Sequence, residues 1–136
     1  MLNYQYPKPI FSTVSGAIPN IISSLRRTLG QYSRTYYHLK VGLTNDPSIR
    51  WVAHKANGWE AMFVIYHTSS RNNASRAERL LVNHLRNNHD EQSLLHNTRK
   101  GGGGNYSGSD NHYVYLLASS RWRKRERCPG TCYGCS

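Results

Sequence analysis

The segment HLKVGLTNDPSIRWVAHKANG, residues 38–58, constrains the fold more than any other stretch of the chain. The aromatic and branched run YYHLKVGLT, residues 36–44, which leads into it, suits a pleated strand. It is closed by TNDP, in which Asp46 is placed to cap a helix and Pro47 to take its first position, where a missing N–H leaves nothing unsatisfied. Ile49, Val52, Ala53 and Ala56 then recur at helical spacing, and Asn57-Gly58 supplies a stop. The chain is thereby committed to a strand, a tight turn and a helix.

The flanking segments extend this pattern. Residues 1–18 contain Pro7, Pro9 and Gly16 with little periodicity and read as an extended arm. From Pro19, PNIISSLRRTLG places Ile22, Leu25 and Leu29 on one helical face, with Gly30 as the expected stop. WEAMFVIYHT, residues 59–68, is short, apolar and aromatic, as a buried strand is. SRAERLLVNHLRNN carries an apolar stripe of Ala77, Leu80, Leu81, Val82 and Leu85 and predicts a helix. Residues 86–111 are polar, with GGGG at 101–104, and read as a loop; HYVYLLAS, residues 112–119, reads as a last strand. A length of 136 residues suits one domain with one core. The order of elements predicts an α+β domain over residues 19–120, with a small, largely antiparallel sheet of about three strands flanked by helices. The arm, residues 1–18, precedes it, and a basic, cysteine-containing tail, residues 121–136, follows.

Charge speaks to partners. Eighteen Lys+Arg stand against seven Asp+Glu, a formal net charge of +11. Arginine dominates the cations and favours bidentate phosphate contacts, so a polyanion, most often a nucleic acid, is the expected partner. No apolar run approaches the ~18 residues that span a membrane, and MLNYQYPKPI lacks the basic and apolar regions of a signal peptide, so no membrane partner is expected. The three cysteines all fall in the last nine residues, an odd count that makes no disulfide framework and points to a reducing intracellular compartment, cytoplasm or nucleus. Cys128, Cys132 and Cys135 supply three of the four ligands of a zinc site, with a distant histidine needed as the fourth; the other reading is a plain tail. Just upstream, Arg121, Arg123, Lys124 and Arg125 are placed for sequence-independent phosphate contacts, or else for a solvated tail.

Two constellations carry chemistry. Arg50 and His54 stand four apart and share a helix face, next to Lys55, while Lys40 lies on the preceding strand two residues before Gly42. Together they could place cations beside an anion near the strand end, or simply form a solvated basic face. Glu78 is an isolated carboxylate between Arg76 and Arg79. Ser75-x-x-Glu78 reads as a capping box, in which the glutamate satisfies an orphan backbone donor. Alternatively, Glu78 is a ligand for a hard cation such as Mg²⁺, which prefers carboxylate oxygen and keeps several waters.

The succession K-V-G, L-T-N-D-P-x-x-R-W-x-x-H, W-E-x-x-x-V-I-Y and A-x-R-A-E-R-x-L-x-x-x-L resembles the core of the GIY-YIG nuclease superfamily, over about residues 36–86 and through 117 when the last strand is included. The resemblance implies a three-stranded antiparallel sheet flanked by helices. It also implies a metal-dependent endonuclease that hydrolyses DNA phosphodiesters, or in a minority of relatives a module that binds without cutting. Val41-Gly42 resemble the end of the second signature, Arg50 the arginine of the first motif helix, His54 the position one turn on, and Glu78 the glutamate that binds Mg²⁺ or Mn²⁺. Lys40 stands where a tyrosine is usual, a departure that some restriction-enzyme relatives share. The other signature tyrosine has three candidates: Tyr32, Tyr37 just before the strand, and Tyr115, which would make the strand order circularly permuted. The resemblance further implies that Arg50, Lys55 and Arg76 touch nucleic acid, double-stranded or branched, and that a chain this small cuts both strands as a homodimer or with a specificity partner.

Overall fold

A computed structural model describes residues 5–87 and 111–120. The elements run β1 (Ile10–Val14), α1 (Ile18–Ser33), β2 (His38–Thr44), α2 (Pro47–Ala56), β3 (Ala61–Thr68), α3 (Arg71–Asn87) and β4 (His112–Ser119). They form an α+β fold with one four-stranded mixed sheet in the order β1-β3-β4-β2. β4 is antiparallel to both β2 and β3, and β1 lies parallel beside β3. The three antiparallel strands expected from the sequence are therefore β3, β4 and β2. The fourth comes from the segment expected to be a free arm: it is extended, but paired. IFSTV escaped notice because β1 is an edge strand with three of its five residues exposed, and so has no apolar alternation to detect.

Alternation along the strands divides the side chains between two faces. Leu39, Val41, Leu43, Phe63, Val114, Leu116 and Ala118 face α1 and α3 in the larger core. Met62, Val64, Tyr115 and Leu117 face the other way and meet Trp51 and Trp59. The helix stripes of α1 and α3 lie in the larger core as their spacing predicts, from Leu25 and Leu29 to Ala77, Leu81 and Leu85.

Two local expectations fail for physical reasons. α1 does not stop at Gly30 but runs to Ser33, and Gly30 is not at positive φ. The extra turn carries Tyr32 onto Phe63, with ring centroids 4.1 Å apart in a stack. The apolar stripe of α2 faces outward: Ile49 is 71% and Val52 69% exposed. The buried face is that of Pro47 and Trp51. The Trp51 indole N–H donates to the Tyr6 carbonyl, and the Gln5 amide donates to the carbonyls of Lys55 and Trp59, so the N-terminal segment clasps α2 against the sheet.

β4 is the strand on which both neighbours hang, although it is last in sequence. A protein truncated after residue 111 is expected to lose cooperative unfolding in thermal melts. Leu116→Ala, which hollows the larger core, is expected to destabilise the protein by about 2–5 kcal/mol in urea titrations.

Candidate active site

The turn that sets up the site is built as the sequence implies. The Thr44 hydroxyl accepts from the Asp46 N–H at 3.0 Å, the Asp46 carboxylate accepts from the Ile49 N–H at 3.2 Å, and Pro47 follows in the first helical turn. Gly58, at φ 99°, ends the reversal after α2. This fixes α2 on the face of the sheet that carries Tyr115, with Arg50 and His54 turned partly inward.

Tyr115 is the centre of the constellation. It sits in register between Gly42 of β2 and Val64 of β3. Its ring lies directly over Gly42, so that a Cβ on that residue would overlap the Tyr115 ring and hydroxyl. This is the physical requirement for glycine in the K-V-G motif: the backbone of β2 must be bare for the ring to lie flat. The Tyr115 hydroxyl is 2.9 Å from His54 Nε2, with donor and acceptor set by the imidazole tautomer.

The surrounding charges are legible in the acid–base behaviour of this pair. Burial, then Lys40 and Arg50, lowers the His54 pKa to about 4, so the imidazole is neutral at pH 7. Burial pushes the Tyr115 phenol above its ordinary value; Arg50 opposes that shift and Glu78 adds to it. The charge of Lys40 is felt at His54. Arg50 thus acts on both members of the hydrogen-bonded pair, Lys40 on His54 and Glu78 on Tyr115.

Glu78 does not cap a helix. α3 begins at Arg71, and the Ser70 hydroxyl accepts from the Asn73 N–H at 3.1 Å, so Ser70 holds the cap. Ser75 and Glu78 lie inside the helix, and Glu78 is 8% exposed. The capping-box reading fails because the T-S-S-R turn starts the helix four residues earlier than the apolar stripe suggests. A carboxylate so buried, whose charge is felt at the Tyr115 phenol, is of the type that suits one Mg²⁺ or Mn²⁺. Such ions bind through one or two carboxylates, their own waters and substrate phosphate. Among the described residues no group of three or more His, Cys, Asp or Glu forms a ready-made cage.

The other tyrosines are elsewhere. Tyr32 is on α1, against Phe63 in the larger core, on the sheet face opposite Tyr115. Its role as a strand tyrosine fails because the chain is still helical there. Tyr37 precedes β2 and is 69% exposed. Lys55 is half-buried at the end of α2 and Arg76 is exposed on α3. Arg121, Arg123, Lys124, Arg125, Cys128, Cys132 and Cys135, with the 88–110 part of the polar loop, lie outside the described residues. Among the described residues no helix is long and apolar enough to cross a membrane.

Two outcomes follow. Gly42→Ala is expected to cost about 1–3 kcal/mol through overpacking, and far less in a Tyr115→Ala background, a coupling that a double-mutant cycle in urea reads directly. The unfolded chain protonates His54 near pH 6.5 and the folded protein only near pH 4, so the contribution of His54 is complete above pH 6.5 and lost as pH falls toward 4. The loss amounts to at most roughly 3 kcal/mol. His54→Gln should flatten that slope in melts across the same range, leaving the part due to His38, whose pKa burial also lowers. No family model matches this chain, and neither a curated protein nor a solved structure matches it.

Proposed function

We propose that this protein is a metal-dependent endonuclease of the GIY-YIG type that hydrolyses DNA phosphodiester bonds. The observation that carries the reading is the hydrogen-bonded His54–Tyr115 pair, on which the charges of Arg50, Lys40 and the non-capping Glu78 act. The pairing of the Tyr115 strand with the Gly42 strand supports the permuted form of the family order, with the signature tyrosine supplied by the last strand.

Arg50 and Lys40 hold the phosphate, and Arg50 meets the charge that grows on phosphorus in the transition state. The Tyr115 oxygen receives a proton from the attacking water while its own proton passes to His54 Nε2. The phenolate is scarce in the free protein because burial and Glu78 both disfavour it. Phosphate changes the balance: an anion between Lys40 and Arg50 offsets the two charges that depress His54, so the imidazole becomes more basic when substrate is bound. Glu78 is the residue that would hold Mg²⁺ or Mn²⁺, which supplies Lewis-acid polarisation of the phosphate and charge for the leaving oxygen. The products carry a 5′ phosphate and a 3′ hydroxyl.

A second reading, a non-catalytic nucleic-acid-binding module, is favoured by the raised Tyr115 phenol and by Lys40 in place of the second signature tyrosine. Nicking of plasmid DNA with Mg²⁺ or Mn²⁺ separates the two. Glu78→Gln is expected to abolish nicking with DNA binding nearly intact. Arg50→Ala should reduce kcat by two orders of magnitude or more with a small change in affinity, as the loss of a transition-state donor does. Wild-type protein that binds DNA but nicks it with neither metal would establish the module instead.

A further inference from the structure

On the same sheet face as Tyr115 lies a partly exposed aromatic cluster from three strands. Tyr113 on β4 is two residues from Tyr115 and therefore points to the same side, roughly 7 Å away along the strand. His67 on β3 pairs with Tyr113 in register, and their rings stack at 4.7 Å with an 18° tilt. Phe11 on β1 meets the Tyr113 ring edge-on at 6.2 Å and is 55% exposed. At the rim, His67 Nε2 and Asn111 Oδ1 lie 3.0 Å apart, and the Asn45 amide donates to the Asn111 carbonyl. The stack is thus held by its own hydrogen bonds before any ligand arrives.

We propose that Phe11, Tyr113 and His67 form a stacking platform for an unpaired nucleobase of the DNA strand whose phosphate sits at Lys40 and Arg50. The proposal rests on the nuclease reading for the phosphate position and adds a substrate class: strands with an unstacked base beside the scissile phosphate, as in single-stranded, flapped or branched DNA. Three features select this occupant. Tyr113 and Tyr115 alternate onto one face of β4, so the platform adjoins the Tyr115–His54 pair. The net charge of +11 draws a polyanion and not an apolar protein partner. Aromatic rings on an open sheet face accept bases of any sequence through their π faces, whereas paired bases are already stacked on each other. A duplex strand advances only about 3.4 Å per nucleotide, so an extended nucleotide spans the gap from Tyr115 to Tyr113 better than one kept in a helix.

The test uses full-length Glu78→Gln protein, which removes cleavage from the readout. Two oligonucleotides of equal length and charge are compared by fluorescence anisotropy: oligo-dT and the same strand built from abasic sites. The protein is expected to prefer oligo-dT by about 5- to 150-fold, the range for aromatic–base stacking. Phe11→Ala should remove most of that preference without changing the affinity for the abasic strand. Phe11→Leu, which keeps the apolar contact with Tyr113 but no ring, should behave like Phe11→Ala and melt like the parent. Equal binding of the two strands, or a preference that survives both substitutions, would overturn the platform. Failure of wild-type protein to nick DNA, with the base preference and its loss on Phe11→Ala intact, would sink the nuclease reading and leave the platform standing.

Discussion

The contact between the Tyr115 ring and the bare backbone of Gly42 is the constraint on which the site depends. It requires β4 to lie next to β2 in one register, because a shift by one residue would turn Tyr115 to the opposite face. It also places the phenol hydroxyl where the second turn of α2 can bring His54 to it. The Thr44–Pro47 turn serves the same end, since it fixes where α2 starts and so which residues of α2 face the sheet.

The two faces of the sheet do different work. The face toward α1 and α3 is filled with aliphatic side chains and holds the fold together. The face toward α2 mixes tryptophans with Tyr115 and, at its edge, the partly buried cations and imidazole. Low polarity near the tryptophans raises the phenol and lowers the imidazole, so both partners of the hydrogen bond are neutral at pH 7. Arg50 and Lys40 act on the imidazole of this pair, and Arg50 and Glu78 on its phenol, so its protonation is tied to charges on three elements, β2, α2 and α3.

Much of this was legible because it rests on short-range chemistry. The Asp46 cap, the Pro47 start, the Asn57-Gly58 stop and the strand at residues 112–119 depend on local dihedral preference and period, and the structure has them at those positions. The spacing of Arg50 and His54 likewise fixes one shared helix face. Three errors have a common origin. The outward stripe of Ile49 and Val52, the helix that continues past Gly30, and the cap at Ser70 instead of Ser75 each arose from one local rule, an aliphatic count, a glycine stop and a Ser-x-x-Glu motif, overruled by the contacts of Trp51, Tyr32 and the Thr68-Ser70 turn.

The sequence by itself determined the types of every element but β1, the strongly cationic balance and the short list of candidate site residues, because composition, capping and periodicity act within a few residues. Only the tertiary structure decided which of three tyrosines stands beside His54, since that choice belongs to the pairing of strands more than sixty residues apart. The structure also withdrew Glu78 from capping, by placing the start of α3 at Arg71 behind the Ser70 cap. It alone gathered Phe11, His67 and Tyr113, one from each of three strands, because a sheet brings distant segments side by side in a register that no local pattern records.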